Sequence, residues 1–568
     1  MTGTGPGAEQ ETADPDRESD RRRRPTPVDA IADDFLARQA AEDPVFATEV
    51  GIAGHDGELT DFSPDAVAAR ADTDRAALRD LAAALPVDDV DRVTIATMSA
   101  TLRRRIALAD AGEMTGDLNV IASPVQVVRD IFDLMDTGSA EARATVVARL
   151  DAVPEALSTA VGALRQRISH GPPIARRQVL AVADQTDRAV DGITASIAAV
   201  ANDPDLTDAL DSAVAAARTA FGEMGAFLRS DVAAAAVDTD AVGRARYLLH
   251  LPAYLGADVD PDEAYAWALD HLAEIIAEQQ AIADDLVPGG TIQDALKALD
   301  ADPRYRITDR HAFVAWMQDL SDRAVAELGG THFEIPARLT RLECRLAPSS
   351  TGVIYYTQPT ADLSRPGRMW WSVPAGQEVF HTWQETTTVY HEGVPGHHLQ
   401  LGSAIVSDDL NSWRKLASFT SGHGEGWALY AERLMAELGR LDDPGDRMGM
   451  LDSQRLRAAR VVVDIGVHCG LAAPESVGGG TWDADKAWTF LTRSVAMDRS
   501  VLRFELDRYL GWPGQAPSYA LGQRVWQQTR RQALAAHPDW SLKDFHTRAL
   551  ALGGVTLDVL RDELTRTS

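Results

Sequence analysis

The sequence predicts a mainly α-helical protein with one small antiparallel sheet, on three observations. Segments such as 66–85, 91–111, 140–168 and 261–286 are rich in Ala, Leu, Arg and Glu, and their apolar residues return every three or four positions. Pro and Gly cluster at the breaks between them: His170-Gly171-Pro172-Pro173, Pro288-Gly289-Gly290 and Asp302-Pro303. Only between about His332 and Val373 does the texture change. There Arg341–Leu346 alternates, and Gly352–Thr357 and Met369–Val373 are β-branched or aromatic with turn residues between them. Helices resume near Val379 and continue almost to the C-terminus, with interruptions at Gly478-Gly479-Gly480 and Trp512-Pro513-Gly514.

At 568 residues the chain is too long for one small core. The expected division is a solvated tail over 1–28, an N-terminal helical lobe over 29–320 and a C-terminal lobe over 321–568 that carries the polar motif described next. The tail is rich in Gly, Pro, Asp, Glu and Arg, and Pro25-Thr26-Pro27 follows its arginine cluster where a signal peptide needs an apolar run. No apolar stretch approaches the roughly 20 residues of a membrane-spanning helix. The net charge of −30, from 55 basic and 85 acidic residues, repels phosphate backbones. Two distant cysteines, Cys344 and Cys469, suit a reducing compartment. The expectation is a cytoplasmic protein with neither nucleic acid nor membrane as a partner.

The motif is Tyr390-His391-Glu392-Gly393-Val394-Pro395-Gly396-His397-His398-Leu399-Gln400. Four of the 14 histidines (His391, His397, His398 and His423) fall within 33 residues. In H-E-x-x-H helices, two histidines one turn apart chelate zinc and the Glu is aimed at its water. Here Pro395 stands where the second histidine belongs. On a regular helix His397 would lie about 120° round from His391, and His398 about 10.5 Å along the axis. A Pro-Gly bulge that absorbs two residues would return His397 to the chelating position. His397 is therefore preferred to His398 as second ligand, with His398 in the outer shell. Glu425, at the start of a downstream helical run, is the expected third ligand, with His423 as the alternative. Glu432, seven residues on and at nearly the same angle, would orient a ligand imidazole.

These residues, together with Tyr355-Tyr356, Ser364-Arg365-Pro366-Gly367, Arg460-x-x-x-Asp464-x-Gly466-x-His468, Arg508-Tyr509 and Pro513-Gly514-Gln515-Ala516-x-x-Tyr519-x-x-Gly522, resemble the bacterial domain-of-unknown-function family numbered 885 over nearly the whole chain after the tail. That family is similar to helical gluzincin metallopeptidases such as thimet oligopeptidase and the thermophilic carboxypeptidases. The resemblance implies two helical lobes about a deep channel, a zincin-like fold with one Zn2+ (or another divalent ion) at the floor.

The function it implies is hydrolysis of peptide bonds by a metal-bound water, with Glu392 as the base. Tyr519 is the first candidate to stabilise the oxyanion and His468 the second. Asp464, four residues before His468, shares its helix face and either supports it or forms a buried hydrogen bond only. Arg365 or Arg508 is expected to grip a substrate carboxylate. The strand carrying Tyr355 is expected to hold an extended peptide by edge pairing. The alternatives are a metal-dependent enzyme acting on a small amide or in biosynthesis, and an inactive binding protein on the same scaffold.

Overall fold

A computed structural model describes residues 23–347, 354–360, 362–374 and 376–567. The chain is mainly α-helical, as expected. Local chemistry starts its helices. Five of them begin with Pro in the first turn behind a capping Thr26, Asp43, Ser63, Asp260 or Asp443, whose side chain accepts a backbone N–H that the helix itself leaves free. Most of the tail expected over 1–28 lies outside the described residues. Its last part is not a solvated tail: Arg23 donates to Asp29 at 2.7 Å, Asp88 at 2.6 Å and Asp91 at 2.5 Å, and a helix starts at Pro27. Three carboxylates around one guanidinium fix this stretch.

Apolar faces gather into two large cores. One is built from residues 45–233. The other joins Val93 to residues 247–564, so the helices between Arg244 and Leu328 share a core with the motif-bearing helices. The break between cores therefore falls near residue 240 rather than at 320/321. The reason is α1 (Pro261–Leu286), whose buried stripe from Ala264 to Ala283 packs on the long helix Pro444–Cys469. A smaller cluster links the first helix to Trp413. No described helix is long and apolar enough to cross a membrane. Cys344 and Cys469 are both free.

The small sheet comprises β1 (Leu342–Leu346), β2 (Ile354–Thr357) and β3 (Gly367–Trp371) in the order β1-β3-β2. The expected antiparallel pairing holds for β2 and β3. Because β3 inserts between the other two strands, β1 runs parallel to it and the sheet is mixed. A two-residue antiparallel pair, Arg306–Ile307 with Phe380–His381, had no sequence signal.

Beyond the sheet come α2 (Thr382–Glu392), α3 (His397–Val406), α4 (Ser421–Glu437), α5 (Pro444–Cys469), α6 (Arg499–Gly511) and α7 (Ser518–Ala536). α5 is buried along nearly its whole length and packs on α1, α2 and α6. α4 and α7 cross so closely that a Cβ at Gly426 would lie 2.4 Å from the carbonyl carbon of Gly522. Ser421 and Ser518 meet one turn earlier, hydroxyl to hydroxyl at 2.7 Å, so the two helices run parallel.

Two predictions follow from this packing. Gly426→Val should force α4 and α7 apart and destabilise the fold by about 1–3 kcal/mol or more, read from the denaturant midpoint. The second concerns Asp464, which burial pushes up to about 7 against the hydrogen bonds from Tyr247 and Gly514. The folded state thus keeps a proton that the unfolded chain releases above about pH 4, so this contribution to stability is full below that pH and is lost as pH rises toward 7. His468, pushed down to about 4 by burial, slopes the other way. The comparison must therefore be of variant against wild type: the cost of Asp464→Asn should shrink as pH rises from 4 to 7, by at most about 1.4 kcal/mol per unit.

Candidate metal centre

The Pro-Gly interruption does more than bulge a helix. α2 ends at Glu392, Gly393 closes it by donating to Val389 O, and α3 begins at His397. Across the break Gly396 N donates to Tyr390 O at 3.1 Å and His398 N to Gly393 O at 3.1 Å. The chain turns here so tightly that a Cβ on Gly396 would stand 1.9 Å from His391 O. The Pro395 carbonyl exposed by the turn accepts from the indole Nε1 of Trp427 on α4 at 2.8 Å, and Gly396 O, which also accepts from Gln400 N at 3.1 Å, lies 3.2 Å from the same indole nitrogen. Sequence reasoning missed this clamp; its one signal was an indole two residues after the expected ligand Glu425.

The turn brings His391, His397 and Glu425 together, with one ligand atom from each lying within 4.8 Å of the others. Glu425 Oε2 stands 3.4 Å from His391 Nε2 and 3.6 Å from His397 Nε2. Behind His391, Nδ1 meets Glu432 Oε1 at 2.7 Å, and Glu432 Oε2 accepts from Thr387 at 3.0 Å. Both ring nitrogens of His391 are thereby aimed. His397 Nδ1 is buried without a partner, so no comparable support stands behind the second imidazole.

The pocket favours positive charge. Burial alone lowers His391, but Glu425, Glu432 and Glu392 outweigh it and hold the imidazole up to about 10. Glu425 is held well below the carboxylate range, against its burial, by His391 and His397. Glu392, the next residue after His391, is buried and makes no protein hydrogen bond among the described residues. Burial and the neighbouring Glu425 raise its pKa, while His391, His397 and Arg457 oppose the shift.

Other expected residues are placed differently. His398 is not available as a ligand: Nε2 meets Leu339 O at 2.8 Å and Nδ1 the Tyr356 hydroxyl at 2.9 Å, and burial lowers its pKa. His423 lies on α4 with Glu425 but outside the ligand group, its Nδ1 3.2 Å from Gln400. His468 cannot serve an oxyanion here. Its Nε2 pairs with Tyr509 O at 2.9 Å and its Nδ1 accepts from Val242 N at 3.3 Å, which leaves no free donor. Asp464 does not bond His468; it receives Tyr247 and the Gly514 amide, so it ties the loop after α6 to the core. Arg365 donates to Thr357 and Gln358 O within its own hairpin rather than presenting a fork. Tyr355 stacks on Trp370 at 6.2 Å in β2, an edge strand among the described residues.

Tyr519 and Arg508 lie together beside the α4–α7 seam. In two right-handed helices that meet in parallel, the residue before a contact position on one and the residue after a contact position on the other project to the same side of the seam. Glu425 precedes the contact residue Gly426 on α4, and Tyr519 follows the contact residue Ser518 on α7. They share a side, about 4–5 Å apart along the axes. Tyr519 is half-buried, and Arg508 Nη2 lies 3.5 Å from its hydroxyl.

A family model described as "Bacterial protein of unknown function (DUF885)" matches residues 44–564. No protein of curated function matches the chain. Two solved structures share the fold at low identity. One, from Colwellia psychrerythraea, has a TM-score of 0.81 and 20% identity, with 94% of this chain and 98% of that one covered. The other, from Shewanella oneidensis, has a TM-score of 0.72 and 16% identity, with 95% and 100% covered. Both are described as a "putative lipoprotein", the second also as of unknown function. This overturns the cytoplasmic expectation: two solved structures of this fold are described as putative lipoproteins, and an acidic composition with two cysteines does not fix a compartment.

Metal titration with chelator competition tests the ligand set. His391→Ala, His397→Ala and Glu425→Ala should each abolish tight binding of one divalent ion, Glu432→Gln should weaken it about 10–100-fold, and His398→Ala should leave the stoichiometry unchanged.

Proposed function

The chain belongs to the bacterial family of unknown function DUF885, and from that premise and the His391–His397–Glu425 constellation we propose a metal-dependent hydrolase of peptide bonds. The single observation that carries the reading is a pair of distances. In a tetrahedral site with legs of about 2.0–2.1 Å, donor atoms lie about 3.3–3.4 Å apart. Glu425 Oε2 stands 3.4 and 3.6 Å from the two imidazole nitrogens, longer than the roughly 2.7–2.9 Å of a charge-assisted hydrogen bond. The donor set of two nitrogens and one carboxylate oxygen is one that zinc takes in catalytic sites.

When bound at these three residues, the ion would lower the pKa of a water and polarise the scissile carbonyl. The rest falls to the chain's own groups. Glu392 sits beside the proposed ligand His391 with both oxygens free of protein partners among the described residues, placed to accept a proton and return it to the leaving amine. Burial and Glu425 raise its pKa. Glu432 fixes the ring plane of His391. Tyr519, on the Glu425 side of the α4–α7 seam, is the donor for the developing oxyanion. β2 offers an edge along which an extended substrate can add as a strand. The likeness of His391-Glu392, Gly396-His397 and Glu425 to helical gluzincins supports a peptide over a small amide.

Glu392→Gln should lower turnover of a peptide pool at least about 10²–10⁴-fold while metal content stays at the wild-type level. Mass-spectrometric detection of products checks the first and elemental analysis the second. Undiminished cleavage by this variant would falsify the role of Glu392.

A further inference from the structure

Beside Tyr519 lies a buried group of charges that the reaction outlined above does not use. Arg460 on α5 is 5% exposed and Arg508 on α6 is 9% exposed. Arg460 donates through Nε to Glu505 at 3.1 Å and Tyr509 at 2.8 Å, and through Nη2 to Glu505 at 2.8 Å. Its Nη1 is buried with no partner. Arg508 reaches Gln515 through Nη2 at 2.7 Å and Glu505 through Nη1 at 3.5 Å, and its Nε is likewise buried and unpartnered. Both guanidinium groups lie against the Tyr519 ring, 4.8 and 5.9 Å from its centroid.

Two fixed positive charges thus face one carboxylate, since Glu505 is held down to about 2, against its burial, by the two arginines. Asp464 also feels Arg508, but burial keeps it toward its neutral form. A buried guanidinium with unsatisfied N–H groups and no full counter-charge is costly in a folded protein, and most such donors are paired. In a chain of net charge −30, a local cationic excess of this kind calls for a reason. Two observations relate the cluster to the candidate metal centre. Tyr519 shares the Glu425 side of the helix seam, and Arg457, three residues before Arg460 on α5, acts electrostatically on Glu392.

We propose that Arg460 and Arg508, with Tyr519 between them as the half-buried entrance, form the subsite that receives a substrate carboxylate next to the scissile bond. A carboxylate supplies the missing charge and accepts in the plane of a guanidinium fork. The C-terminal carboxylate of a short peptide and an acidic side chain near the cleaved bond carry the same chemistry. The inference rests on the hydrolase reading for its consequence in turnover, but binding tests it separately.

The experiment takes full-length wild-type protein loaded with zinc, and its Glu392→Gln variant, against three acetylated hexapeptide pools. One pool ends in a free carboxylate, one in an amide, and one in an amide with glutamate at the last position. The expected result is a KM at least about tenfold lower for the carboxylate-bearing pools than for the neutral amide, together with a raised unfolding midpoint of the Glu392→Gln protein with those pools only. Preference for the free-acid pool assigns the subsite to a chain terminus, and preference for the glutamate pool assigns it to a side chain. Arg508→Gln should remove the preference through KM rather than kcat, with metal content unchanged; because Arg508 is buried, the comparison of pools, which needs no arginine variant, stands as the independent measurement. Equal binding and cleavage of all three pools overturns the inference and leaves the hydrolase standing. Carboxylate-selective binding with no cleavage by wild-type protein overturns the hydrolase and leaves the subsite. Neither binding nor cleavage overturns both.

Discussion

The indole of Trp427 donating to the carbonyls of Pro395 and Gly396 is the contact on which the centre depends. An uninterrupted helix would satisfy its own carbonyls and place His391 and His397 about 120° apart. Breaking the helix at Gly393–Gly396 frees backbone acceptors inside a core, where unpaired groups are costly. One side chain from α4 covers them, and the same helix delivers Glu425 two residues earlier. Backbone rescue and delivery of Glu425 are therefore a single packing event, and the His391–His397–Glu425 group assembles only when α4 docks.

The same economy of elements explains how so many buried charges are tolerated. The centre holds Glu392, Glu425 and Glu432 against two imidazoles, and on α6 Glu505 is set against two arginines. Each carboxylate except Glu392 is directly paired. Buried ions are otherwise neutralised or expelled, so Glu392, which makes no protein hydrogen bond among the described residues, is the exception. The acidic surface lies apart from this interior balance: a large net negative charge bears on solubility and long-range fields rather than on the fold.

The two cores give the molecule its working parts. The 45–233 core is built almost wholly of helices, whereas the core of 247–564 holds the sheet and every residue of the centre. The fold is kept in relatives at 20% and 16% identity, which fits a scaffold specified by the periodicity of small and apolar residues more than by particular side chains.

How much of this the sequence carried depends on the range of each contact. Helix periodicity and caps are local, so the mainly α character, the change of texture before Val373 and the Pro-Gly break were legible from neighbouring residues. The grouping of His391, His397 and Glu425 was legible too, because the spacing across the Pro-Gly break and the downstream Glu pointed to one place. The parallel partner of β3 was not, since strand order depends on a return path that spacing does not state. Nor were the fates of His398, His468 and Asp464, whose polar atoms are taken by Leu339, Tyr509, Val242 and Tyr247 arriving from elsewhere, nor that of Arg365, spent on Thr357 and Gln358 within its own hairpin. Arg460, a lone cation in the apolar run Ala458-Ala459-Arg460-Val461, signalled burial but not its partners. The sequence by itself determined the helices and the three residues about one point. Tertiary structure decided which polar atoms remained unspent, because hydrogen-bond capacity is consumed by whichever groups packing brings within about 3 Å.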